Sequence, residues 1–489
     1  MSDLRLRKLT MPGRRAAALG AVVLGLLLII GAGTLLGEEG PTSHASRMPL
    51  VGRTTSICTT SAQPSGEPTG ETEVSAVSIQ QEPPGRAGVL TASTLTSKPS
   101  GLKITQVGRG AQQSGVTSPV VIAADGAMAS ISSAVIVADV MEGPEVGLKA
   151  APCLPPATSH WFSGLGATDA DRTDLILSNP DDAQAQVDLR FYGRSGRVVA
   201  PGSPEVLIRA HESRTVSLSS LVKAEDTVSV AVQASQGRVT AVAKRSQTNQ
   251  LKAAGVDWQL PSASPSTVVV VPGVPAGEGG RQLIVTNPGA TRASVAVQVL
   301  GFNGPYEPSG AASLEVPPES TAAVSLSEGL AGQPGSIKLA SNVPVTAAVI
   351  STSQRSGAGG DMAVQPATVP LIRTGVSAVA TSNIADSELI VSNSGDGDVQ
   401  FTFEVFSYDG VKLRTGEIVL GPNGTATRRL NSPAPSYLVV KVPDGSSVIG
   451  GVVLTQPKRN VAGLATIPLT SPDLASRAPA TRPDYSAGR

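Results

Sequence analysis

Apolar and polar residues alternate with a period of two along much of this chain, the pattern of half-buried strands rather than helices. Three segments carry it most clearly: Val187, Leu189 and Phe191; Val295, Val297 and Val299; Phe401, Phe403 and Val405. Each begins eight residues after an asparagine that ends an apolar run. The runs are Leu175-Ile176-Leu177-Ser178-Asn179-Pro180, Leu283-Ile284-Val285-Thr286-Asn287-Pro288 and Leu389-Ile390-Val391-Ser392-Asn393-Ser394. Proline cannot donate to a ladder and asparagine closes turns with its own side chain, so each run predicts a strand that stops there. A glycine follows each asparagine at +17 (Gly196, Gly304, Gly410), after Ser195, Asn303 or Asp409, which is hairpin-turn chemistry.

The asparagines stand 108 residues apart (179 to 287) and then 106 apart (287 to 393), so the repeat is of domain length. Later strands are predicted at Thr227–Val232, Val239–Ala243, Val343–Ile350, Tyr437–Val442 and Val448–Leu454, and these blocks end near Gln247, Gln354 and Gln456. Many short strands with Gly, Pro and Asn punctuation predict an all-β chain of tandem immunoglobulin-like antiparallel β-sandwich domains. No amphipathic helix is predicted outside the N-terminus.

A fourth, divergent copy is expected ahead of these. Ala124-Asp125-Gly126 and Ile131–Val137 match Pro443-Asp444-Gly445 and Val448–Leu454, and Gly147-Leu148-Lys149-Ala150 matches Gly463-Leu464-Ala465-Thr466. The match covers only the back half, and an unrelated β domain is the alternative. The expected division is a divergent β domain over 75–155 and repeats over 156–268, 269–371 and 372–470.

Residues 16–37 carry no charge. As a helix at 1.5 Å per residue they reach roughly 33 Å, enough to cross a hydrocarbon core. Arg5, Arg7, Lys8, Arg14 and Arg15 precede the segment, and Glu38 and Glu39 follow it. The positive-inside rule predicts a single-pass signal anchor in the cell membrane: 1–15 a cytoplasmic basic segment, the bulk of the chain extracytoplasmic. A cleaved signal peptide is the alternative, but the run is long for one and its cleavage signal is poor. Residues 38–74, rich in Thr, Ser, Pro and Gly, are expected to be a stalk, and 471–489 a disordered tail.

Charge and cysteine usage fit that placement. With 38 basic and 38 acidic residues and no Lys/Arg stripe beyond the anchor, nucleic acid is not expected as a partner. Cys58 and Cys153 are the chain's two cysteines, and outside the cytoplasm a disulfide between them is expected, free buried thiols being the alternative. His44, His160 and His211 are scattered, so no metal or other cofactor is expected.

Catalytic motifs are sparse. Ser220-Leu221-Val222-Lys223 fits the short S-x-x-K pattern, but copy two has no lysine at the aligned place, and a polar loop is expected. Asn393-Ser394-Gly395-Asp396-Gly397-Asp398 and the group Asp169, Asp171, Asp174 offer oxygens to calcium without a full ligand series, so turns are expected. Trp258 and Met362, after Asp257 and Asp361, read as matched core positions. His160 and Trp161, between the first two domains, are the candidate surface contact, with interdomain packing as the alternative.

Cys153, Pro155-Pro156, Trp161-Phe162, the 175–180 block and Phe191-Tyr192-Gly193 with Gly196 resemble an uncharacterised family of membrane-anchored secreted proteins from high-GC Gram-positive (actinobacterial) bacteria. The resemblance implies location and architecture, with no catalytic residues to carry over. The expected function is a non-enzymatic scaffold or interaction protein of the cell envelope, its partner an envelope protein or wall polymer. A glycan-binding protein is the alternative, and an extracellular hydrolase a distant third.

Overall fold

The computed structural model describes residues 52–60, 70–80, 88–96, 98–143, 145–203, 205–222, 225, 227–249, 252–353, 359–380, 384–456 and 463–472. The expected cytoplasmic segment, anchor and most of the tail lie outside them. Among the described residues no helix is long and apolar enough to cross a membrane.

The described chain is all-β, built from antiparallel sheets that pair off along the sequence. The first pair holds β1 (Arg53–Cys58), β2 (Gly70–Ser78), β3 (Gly88–Thr94), β4 (Pro99–Ile104), β5 (Gly110–Ser114), β6 (Val120–Gly126), β7 (Ser132–Val140) and β8 (Gly147–Pro152). Its sheets are ordered β1-β6-β3-β4 and β5-β2-β7-β8. The second pair holds β9 (Ser159–Leu165), β10 (Asp171–Ser178), β11 (Ala185–Gly193), β12 (Gly196–Val198), β13 (Val206–Ile208), β14 (Ser213–Ser217), β15 (Val228–Gln236), β16 (Thr240–Asn249) and β17 (Lys252–Gln259). The third holds β18 (Ser266–Val274), β19 (Arg281–Asn287), β20 (Ala293–Gly301), β21 (Gly304–Tyr306), β22 (Ser313–Val316), β23 (Ser320–Ser325), β24 (Gly335–Ser353) and β25 (Asp361–Pro366). Here β24 is long enough to serve both sheets, pairing β18 and β20 with its first half and β19 and β25 with its second. The fourth holds β26 (Thr374–Val379), β27 (Asp386–Asn393), β28 (Val399–Ser407), β29 (Lys412–Leu420), β30 (Thr425–Arg429), β31 (Ser436–Lys441), β32 (Val448–Gln456) and β33 (Gly463–Pro468).

The fourth pair is ordered β26-β31-β28-β29 and β30-β27-β32-β33, the first pair's order strand for strand. The divergent copy therefore corresponds over its whole length, not only its back half. This corrects the expected stalk: β1 and the start of β2 lie inside 38–74 and are integral to the first sheet pair. It also moves the boundary at 268/269, which cuts through β18.

The alternating positions face inward as expected. Val187, Leu189 and Phe191 join residues of both sheets in one core, as do Val295, Val297 and Val299 in theirs and Phe401, Phe403 and Val405 in theirs. The three asparagines are buried and do the same work. Asn287 Nδ2 donates to the carbonyls of Thr291 (2.8 Å), Val316 (3.2 Å) and Pro317 (3.0 Å), and its Oδ1 accepts from Gly289 N (3.0 Å). Asn179 repeats this on Ala183, Ile208, Arg209 and Asp181, and Asn393 on Gly397, Gly421 and Gly395. Each amide closes its own turn and ties it to the neighbouring segment, so a polar side chain is buried without loss.

Equivalent residues also join one sheet pair to the next. Ser229 Oγ accepts from Thr286 (2.7 Å) and lies 2.9 Å from Thr321 Oγ1, which donates to the Tyr192 carbonyl (2.9 Å). One repeat on, Ser392 bridges Ser336 (2.7 Å) and Thr425 (2.6 Å), and Thr425 bonds the Leu300 carbonyl (2.6 Å). Strand register makes Tyr437 the counterpart of Ser229 and Ser336. At the junction of the fourth pair with the first it stacks on Phe406, ring centres 5.4 Å apart, against Val77, Ile79 and Ile131. Between first and second pairs, Trp258 and Val242 enter the core that contains Ala151 and Cys153. The succession is thus closed: the fourth pair returns to the first, where Ser133 Oγ meets Thr470 Oγ1 at 2.9 Å.

Candidate functional site

The closing strand of each sheet pair lies next to the closing strand of another: β8 beside β17, β17 beside β25, β25 beside β33, and β33 beside β8. Ladder register aligns them. Gly147, Gly255, Asp361 and Gly463 occupy one level, opposite Val140, Gln247, Ser353 and Gln456. Leu148, Val256, Met362 and Leu464 occupy the next. This corrects the match of Trp258 with Met362. Counted along the ladder Trp258 is level with Val364, because the β16–β17 hairpin bulges near Gln247.

Asp361 is fully buried at the centre of these strands. Its Oδ2 accepts from Leu148 N (2.9 Å) and Leu464 N (2.8 Å), and its Oδ1 from Met362 N (2.9 Å) and Val256 N (3.2 Å). One carboxyl group thereby collects a backbone N–H from every sheet pair. Asp257, also buried, accepts from Trp258 N (2.8 Å) and Val364 N (2.8 Å), linking second pair to third. Lys149 Nζ, equally buried, lies 3.2 Å from Glu145 and 5.5 Å from the centre of the Trp258 ring.

Burial pushes the Asp361 carboxyl up to about 7, further than its four N–H bonds pull it down, and burial likewise raises Asp257. Unfolded, an aspartate titrates near 4. The folded chain therefore holds a proton on Asp361 between pH of about 4 and about 7 that the unfolded chain has lost. The stability this proton confers, on the order of 4 kcal/mol, is complete below the unfolded value and gone above about 7. Urea unfolding followed from pH 5 to 8 is expected to lose stability as pH rises, with a shallower slope in Asp361→Asn.

The closing strands end around an apolar pocket of about 380 Å³. Pro152, Pro261, Pro366 and Pro468 line it with Cys153 and Leu469, and among the described residues no Asp, Glu, Lys, Arg or His contributes to its wall. Cys58 and Cys153 form a disulfide at this edge, tying the end of β1 to the segment after β8.

His160 is a buried residue, which corrects its place as a surface contact. Its Nε2 sits 2.8 Å from the Val239 carbonyl, and burial lowers its pKa. Trp161 is half-buried, its ring 6.0 Å from that of Tyr192, and its carbonyl accepts from Ser262 N at the entry to the third pair. Ser220 Oγ donates to the Ser217 carbonyl (2.7 Å), while Lys223 lies outside the described residues. Asp171 pairs with Arg245 (2.5 Å) and Asp174 with Lys244 (3.7 Å). Asp361 was missed in the sequence because it stands at an ordinary strand start. Its signal was an acidic residue in a column otherwise Gly147, Gly255 and Gly463.

The model of a family of unknown function, DUF5719, matches residues 107–460. A search of curated proteins finds no match. Among solved structures, one likeness is to the structure of infectious bursal disease virus Gx strain. It is 12% identical, with 89% of this chain and 83% of that chain covered and a TM-score of 0.12, too low to carry an argument.

Proposed function

The chain belongs to DUF5719, a family of unknown function, and we propose that this member is a non-enzymatic scaffold or interaction protein of the bacterial cell envelope. In this reading residues 16–37 are a single-pass anchor with a cytoplasmic N-terminus, and the sheet pairs are immunoglobulin-like sandwiches on the outer side. The observation that carries the reading is the reuse of equivalent residues as joints, Ser229 with Thr286 and Thr321, then Ser336 with Ser392, which in turn bonds Thr425. Repetition here is spent on assembling one body, as a scaffold requires. A disulfide at Cys58–Cys153 suits an oxidising compartment.

The partner in this reading is an envelope protein or a wall polymer. Crosslinking in intact cells followed by mass spectrometry tests it, and recovery of the chain alone under conditions that capture known envelope complexes contradicts it. A reporter fused after Arg489 tests topology; activity confined to the cytoplasm contradicts the anchor. The glycan-binding reading is less well supported, since Trp161 is half-buried and Tyr192 largely buried, leaving little free ring face. Wall-polymer binding lost in Trp161→Ala would restore it.

A further inference from the structure

Four backbone N–H groups from four sheet pairs, at one level of the ladder, end on one side chain, and we propose that they form a carboxylate-binding cage which Asp361 fills from within, so that its occupation holds the ring of sheet pairs together. The donors are Leu148, Val256, Met362 and Leu464. They divide two to each oxygen, as the acceptor capacity of the ionised carboxylate, the form present at pH 8, allows. The cage is built from backbone dipoles, in the manner of main-chain anion sites.

Sterics explain why a single repeat supplies the ligand. A Cβ on Gly147 would lie 2.6 Å from Asp361 Oδ1, and one on Gly255 2.6 Å from Met362 N. Both glycines also hold positive φ, +148° and +142°, which side chains rarely adopt. Gly147 and Gly255 leave the room that Asp361 and its strand occupy, while a Cβ on Gly463 would meet Gln456 instead. The ionisable groups facing it are Asp257 from β17 and Lys149 from β8, the latter engaged by Glu145, while β33 brings none. Oxygens of the cage ligand are therefore satisfied by the main chain of all four pairs and by no salt bridge among the described residues.

Removing the side chain while keeping the repeat's own glycine should leave an empty site for a small carboxylate. Thermal unfolding of Asp361→Gly is expected, at pH 8, to begin several degrees below the native chain. Sodium formate should raise it in a saturable way towards the native value, with sodium chloride at equal ionic strength as the control and no formate effect on the native chain. Native-like melting of the variant, or formate acting no better than chloride, overturns the proposal. Should Asp361→Gly fail to fold, hydrogen exchange in Asp361→Asn decides. Protection is expected to fall together at Leu148, Val256, Met362 and Leu464, whereas loss confined to β25 overturns the cage. The result does not depend on where in the cell the chain resides.

Discussion

Asn287→Ala is expected to destabilise the chain by about 3 kcal/mol in urea unfolding, since it strips partners at once from three carbonyls, that of Val316 buried and those of Thr291 and Pro317 partly so, and from one N–H. Asn287→Asp should be no milder, because it replaces a donor facing three carbonyls with an acceptor. Asn303, exposed at the hairpin tip, is the matched control, with an expected change within about 0.5 kcal/mol. Equal losses at Asn179 and Asn393 would show that the side chain acts alike in each copy. A change at Asn287 no greater than at Asn303 would contradict the role assigned to all three.

Cys58→Ser carries the second large effect. The disulfide closes a loop of 95 residues around the first sheet pair. Its loss is expected to cost about 4–5 kcal/mol by restoring freedom to the unfolded chain. Cys153→Ser should match it, and the double variant should cost no more than either single, since both remove one bond. Labelling of both thiols in the native chain without reductant would contradict the bond itself.

Much of the fold was legible because it rests on local signals. Period-two alternation marks Val187–Phe191 and its counterparts, and Asn-Pro or Asn-Ser marks where strands stop. The first sheet pair was harder to see. β1 reads RTTSIC and β2 GETEVSAVS, compositions that pass for a linker. Yet Ile57, Cys58, Val74 and Ala76 face a core. Ring closure was not legible at all. The joints between successive pairs are Ser229, Ser336, Ser392 and Thr425, and the closing contact is Ser133 with Thr470, small polar residues that look solvent-facing until a neighbouring repeat covers them. Asp361 was hidden for the same reason, since four backbone donors leave no mark in a sequence. His160 was misplaced beside Trp161, because nearness in sequence does not reveal that a strand turns one ring inward and leaves the other half-covered.

The closed succession of sheet pairs is tested most directly where its ends meet, at Ser133 and Thr470, whose side-chain oxygens lie 2.9 Å apart across 337 residues. A chain carrying Ser133→Cys with Thr470→Cys should form an intramolecular disulfide between these positions under mild oxidation while remaining monomeric. Thiols that stay free at both positions, or that join only separate chains, would contradict the ring.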